Sequence, residues 1–159
     1  SSDLAILYSF IALPLYLAFI RPLLNGQTLP DLLPFYTPQR LLQIAAAYSV
    51  EGRLQYLRGV LTFDLLYPIL YGSAMSLIGG WLARGDAKLM VLPLLPLLAV
   101  CLDLLENVSV ACVMTLDGSI AAPFTFLASA ATPLKWLFVI GSFVLLLYLL
   151  AKKWLPVHS

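Results

Sequence analysis

Apolar residues run almost unbroken through four stretches of this chain, and polar residues gather in the short pieces between them. The first stretch runs from Leu4 to Ile20, interrupted by Pro14 and closed by Arg21-Pro22. The second covers about 60–82, the third about 89–116 with Pro93 and Pro96 in its first half, and the fourth about 134–150. A bilayer core is crossed by roughly 20 consecutive apolar residues in a helix. The pattern therefore predicts an all-α membrane protein, with four transmembrane helices in an antiparallel bundle.

The connecting pieces carry their own signals. Asn25 to Pro38 is rich in turns, with Pro30, Pro34 and Pro38 breaking any regular element. Thr37-Pro38 then has the form of a helix start, Thr as N-cap and Pro at the first helical position. The helix predicted over 38–49 is apolar on one side (Leu41, Leu42, Ile44, Ala45, Tyr48). Too short to span, it is expected to lie in the membrane interface as an amphipathic helix. Ser49 to Arg53 marks a corner, and a polar run, Arg53, Gln55, Tyr56 and Arg58, feeds the second span. Ala83 to Lys88 is a short link between antiparallel neighbours, and Asp117-Gly118 opens a loop. Thr132-Pro133 repeats the helix-start signal before the fourth span. Gly72, Ser76 and Gly80 form a small-residue stripe suited to close helix packing. No internal repeat of the kind that builds many transporters is present.

Composition agrees with the pattern. The chain has 159 residues, 62% of them hydrophobic and 11% charged, and its mean hydropathy is +0.96, outside the soluble globular range. One integral membrane domain over 1–159 follows, with the lipid bilayer as its surroundings. A net charge of +1 gives no footing for nucleic acid. Leu4 to Ile20 lacks a preceding basic residue and a small-residue cleavage site, so it reads as a retained span and not a signal peptide. Arg84, Lys88, Lys152 and Lys153 fall on the side of the termini, against Arg21, Arg40, Arg53, Arg58 and Lys135 on the other. The termini are assigned to the cytoplasm because their basic residues flank spans in very short segments. Cys101 and Cys112 lie about 16 Å apart along one helix, out of disulfide reach, and are expected as buried apolar thiols.

Chemistry enters with Asp64, Asp103, Glu106 and Asn107, polar groups set inside the apolar stretches. Such groups are expensive in a membrane, and they pair internally or serve a site. Asp64, Tyr67 and Tyr71 share one helical face, and Asp103, Glu106 and Asn107 share another. Arg53, Arg58 and Lys135 are the candidate counter-charges at the same end of the bundle. Pro68 frees a backbone carbonyl near Asp64. Together these nine residues are the expected ligand-binding site. The single histidine, His158, leaves no material for a histidine zinc site or a histidine-dependent triad, and no Cys-x-x-Cys or phosphate loop is present. No metal site is indicated, and the cofactor is left open by the sequence.

Three segments, 48–56 (YSVEGRLQY), 64–72 (DLLYPILYG) and 103–107 (DLLEN), resemble a family of small, uncharacterised, mainly bacterial four-helix membrane proteins, and Thr132-Pro133-Leu134-Lys135 is similar to a fourth patch. The resemblance covers about 37–150 and implies a bacterial inner-membrane location, but it brings no activity. Three readings stay open. The acidic cluster binds or passes a small polar solute, a cation or a lipid headgroup. Alternatively it is structural, in a non-catalytic subunit with a membrane-protein partner or a second copy of itself. Thirdly, it serves a carboxylate-dependent intramembrane enzyme acting on a lipid, with Glu106 or Asp64 as base.

Overall fold

The computed structural model describes residues 28–154, apart from 85, 87, 88 and 117. The first expected span, 4–20, lies outside the described residues. All regular structure among the described residues is helical. Thr37 caps α1 (Pro38–Ala47) as the sequence predicts, its Oγ1 accepting from the Arg40 backbone N–H at 3.2 Å. Leu41, Ile44 and Ala45 recur at helical spacing and are buried, and Tyr48 continues the face one turn on. The chain turns at Tyr48, where ψ becomes extended, and restarts at once. Ser49 Oγ accepts from the Gly52 N–H at 3.1 Å and opens α2 (Val50–Gly59).

The predicted corner at 49–53 is thus a helix start, and the polar run is the first part of a long rod. α2 passes through a π turn (Val60–Asp64) into α3 (Leu66–Leu82), with Leu65 N–H donating to the Val60 carbonyl at 3.1 Å. α4 (Leu95–Thr115) follows a tight turn over Leu92–Leu94, and both Pro93 and Pro96 sit where the missing N–H costs little. α5 (Gly118–Trp154) begins at a glycine with φ +57°, a conformation open to glycine without strain.

α5 corrects one expectation. Thr132-Pro133 is not a helix start: the helix runs unbroken from Gly118, with Pro123 and Pro133 inside it. Thr125 and Thr132 both place their hydroxyls on carbonyls of the preceding turn, Ala122 at 2.7 Å and Ala128 at 2.8 Å. Tight packing along α4 holds the rod through both prolines, as neighbouring helices do in membrane bundles.

Among the described residues, three helices are long and apolar enough to cross a membrane: Val50–Leu82, Leu92–Thr115 and Gly118–Trp154. The distribution of side chains is inverted relative to a soluble protein. Leu77, Leu137 and Leu147 are each more than 60% exposed, whereas Glu106, Asn107 and Lys135 are buried. An apolar core of Leu41, Ile44, Tyr56, Val60, Val110 and Met114 ties α1 and α2 to α4. Tyr48 and Tyr56 meet edge to face at 5.9 Å.

The small-residue stripe acts at Gly72 and Ser76 but passes through Gly79, not Gly80. A methyl on Gly72 would overlap Val100 Cγ2, Ser76 Oγ donates to the Pro93 carbonyl at 2.7 Å, and Gly79 faces Pro93 and Leu146. Gly80 meets nothing within 4 Å. The cysteines also depart from expectation: Cys101 is exposed and Cys112 half-buried, both free thiols on α4.

Candidate functional site

α4 supplies the centre of the polar cluster because Asp103, Glu106 and Asn107 recur at three- and four-residue spacing. Glu106 is fully buried. Its Oε2 lies 2.6 Å from Lys135 Nζ of α5. Tyr36, from the segment before α1, donates its hydroxyl to Oε1 at 2.9 Å. Thr132 Oγ1 stands 2.6 Å from the same oxygen and 2.8 Å from the Ala128 carbonyl, and its one proton serves one acceptor at a time.

Asp103 shares the lysine. Lys135 Nζ donates to Asp103 Oδ1 at 3.3 Å, and Tyr71 of α3 donates to Oδ2 at 3.1 Å. Tyr67 packs against Tyr71 with ring centroids 5.4 Å apart, on the face predicted for both. The cluster thus places one ammonium between two carboxylates, with all three groups at most 14% exposed.

Asn107 performs a separate task. Pro68 has no N–H to offer the Asp64 carbonyl one turn back, and Asn107 Nδ2 donates to that carbonyl at 2.8 Å. The carbonyl freed by proline is therefore capped across the helix interface. Asn107 Nδ2 also lies 3.5 Å from Asp103 Oδ1, whereas its own Oδ1 is buried without a hydrogen-bond partner.

Of the nine expected site residues, Tyr71, Asp103, Glu106, Asn107 and Lys135 are brought together, Tyr67 flanks them, and Asp64 is tied in through its backbone. Arg53 and Arg58 are not part of the cluster. Arg53 Nη2 donates to the Ala45 carbonyl at 3.0 Å and Nη1 reaches the Met114 carbonyl at 3.5 Å, so it fastens the ends of α1 and α4. The Arg58 side chain is exposed. The π turn between these arginines and Tyr67 changes the helical register, so a plain α-helical projection misplaces them.

Two members were not legible beforehand. Tyr36 sits in the proline-rich segment, where spacing carries no information. Thr132 bore a signal in its i, i+3 relation to Lys135, but the Thr-Pro pair reads equally as a helix start. Among the described residues no three His, Cys, Asp or Glu side chains gather as metal ligands. Comparisons with protein-family models, with curated proteins and with solved structures found no match for this chain.

Proposed function

We propose that this is a small polytopic membrane protein that binds a cation, inorganic or the ammonium group of a polar solute, at the buried Asp103–Glu106–Lys135 cluster. The stretch 4–20 supplies a fourth span in this reading, and α1 lies along the membrane interface. One observation carries the proposal: two buried carboxylates share a single buried ammonium. Among the described residues, with both acids ionised, the cluster is one positive charge short. Uncompensated charge in a low-dielectric interior costs several kcal/mol, roughly. A small cation beside Asp103, the less enclosed carboxylate, would remove that cost. The unpartnered Asn107 Oδ1 is a buried acceptor with an unmet requirement of the same sign, which a cation or a donor group satisfies. The oxygen-rich lining suits a hard or ammonium-type cation.

A second reading draws on the connectivity. Glu106 and Asn107 join α4 to α5, to the π turn before α3 and to the segment carrying Tyr36, and such interhelical hydrogen bonds stabilise membrane bundles. On that reading the cluster is a lock within a non-catalytic subunit. The enzyme reading has less support, because Glu106 is enclosed and engaged by three side chains.

Thermal unfolding in detergent separates the first two readings. Lithium, sodium, potassium and methylammonium chlorides would be compared with choline chloride at equal ionic strength, for wild type and Asp103→Asn. The cation site predicts that one of the small cations raises the wild-type Tm while Asp103→Asn is stable without it and indifferent to it. Identical wild-type Tm values in all the salts, with no bound mass in native mass spectrometry, would overturn the cation site and leave the lock.

A further inference from the structure

The far end of the bundle carries a second constellation, unconnected with the buried acids. Where α3 ends and α5 ends, a cleft of about 290 Å³ opens between Trp81, Arg84, Asp86 and Leu89 on one side and the last turns of α5 on the other. Its floor is apolar, made by Leu82, Leu89 and Leu149. Its rim is cationic: among the described residues Arg84, Lys152 and Lys153 line it, against a single acid, Asp86. Both lysines are held in place. Lys152 Nζ pairs with Asp86 Oδ2 at 2.9 Å, and Lys153 Nζ lies 3.4 Å from the centroid of the Trp81 ring. With three cations and one carboxylate, the rim keeps an excess of positive charge while the floor offers apolar surface.

From this arrangement we infer that the cleft is a binding site for the headgroup of an anionic phospholipid, with the phosphate among Arg84, Lys152 and Lys153 and the acyl chains leaving past the half-buried Leu89 and the exposed Trp81. The combination is what such a lipid requires: fixed donors above and apolar surface below. Trp81 stands where tryptophan marks the headgroup level. Basic pockets between membrane helices recognise anionic headgroups by the same chemistry. Asp86 is the tuning element, since it occupies Lys152 until a stronger anion arrives. The site rests on the membrane-spanning reading and is independent of the cation cluster.

Native mass spectrometry of the purified chain in nonionic detergent tests this, titrating phosphatidylglycerol against phosphatidylcholine of identical acyl chains. Phosphatidylglycerol should be retained about tenfold better. Arg84→Gln/Lys152→Gln should abolish that preference, whereas Arg40→Gln/Arg58→Gln, which removes the same charge from the other end, should leave it intact. Asp86→Asn should tighten phosphatidylglycerol binding by releasing Lys152. Millimolar inorganic phosphate should displace little of the lipid, because the floor adds to the headgroup contacts. Equal retention of both lipids, or equal losses in the two double variants, would overturn the site. Complete displacement by inorganic phosphate would overturn the lipid assignment in favour of a free-phosphate site.

Discussion

Lys135 decides the energetics of the buried cluster, because among the described residues it alone supplies positive charge to two carboxylates. Replacing it by methionine keeps the stem and removes the charge, leaving Asp103 and Glu106 without their ammonium. Removal of one partner from a buried pair costs about 3–5 kcal/mol. Lys135→Met should therefore lower stability by that order, read from reversible unfolding in mixed micelles. Adding Glu106→Gln should recover part of the loss, since one of the stranded charges goes with it. Equal stability of Lys135→Met and wild type would mean that the ammonium is hydrated and not buried as described. The residues of this cluster were partly legible in the sequence. Ionisable side chains inside apolar runs point inward whatever the fold, so Asp103, Glu106, Asn107 and Lys135 could be placed. Arg53 was misplaced because its charge alone does not say whether it meets carboxylates or helix-end carbonyls, and Arg58 because its charge does not say whether it faces the bundle or the outside.

Each helix is shaped by a few positions where the regular backbone fails or a neighbouring helix comes too close. Pro68 strips the Asp64 carbonyl of its helical donor, and Asn107 replaces it from α4. If that is the role of the amide, Pro68→Ala, which restores an N–H, should make Asn107 partly redundant. Asn107→Leu should cost about 1 kcal/mol less in the Pro68→Ala background than in wild type. Additive effects would sink the idea. The glycines of α3 divide in the same way. Gly72→Ala drives a methyl into Val100 and should cost about 1–3 kcal/mol. Gly80→Ala meets open space and should stabilise the helix by up to about 1 kcal/mol through propensity alone. The stripe of small residues was visible in the sequence, but which glycine touches a neighbour depends on the crossing of two helices and on the π turn upstream. Thr132-Pro133 misled for a related reason. The dipeptide lowers the local preference for helix, and packing over the whole length of α5 overrides it.

At the scale of the molecule, length sets the orientation of the cluster. At roughly 1.5 Å per residue, α5 is about 55 Å long, against a hydrocarbon core of about 30 Å. Crossing a bilayer would require it to tilt, to protrude or to do both. The Lys152–Asp86 pair marks one end, and Lys135 lies about 26 Å from Lys152 along the helix. If the basic end sits at one interface, the carboxylates lie near the opposite edge of the hydrocarbon core, and the turns from Gly118 to Thr132 reach toward the opposite aqueous side. A cation entering the cluster would then have a short path from that side and a long one from the basic end. Single cysteines at Ser119 and Lys153, both exposed, test the arrangement in a Cys101→Ser/Cys112→Ser background. In sealed vesicles a membrane-impermeant maleimide should label one position from outside and the other only after the bilayer is opened. Labelling of both from the same side would show that α5 does not cross. The short-path argument for the buried cluster would then lose its footing, while its internal geometry would stand.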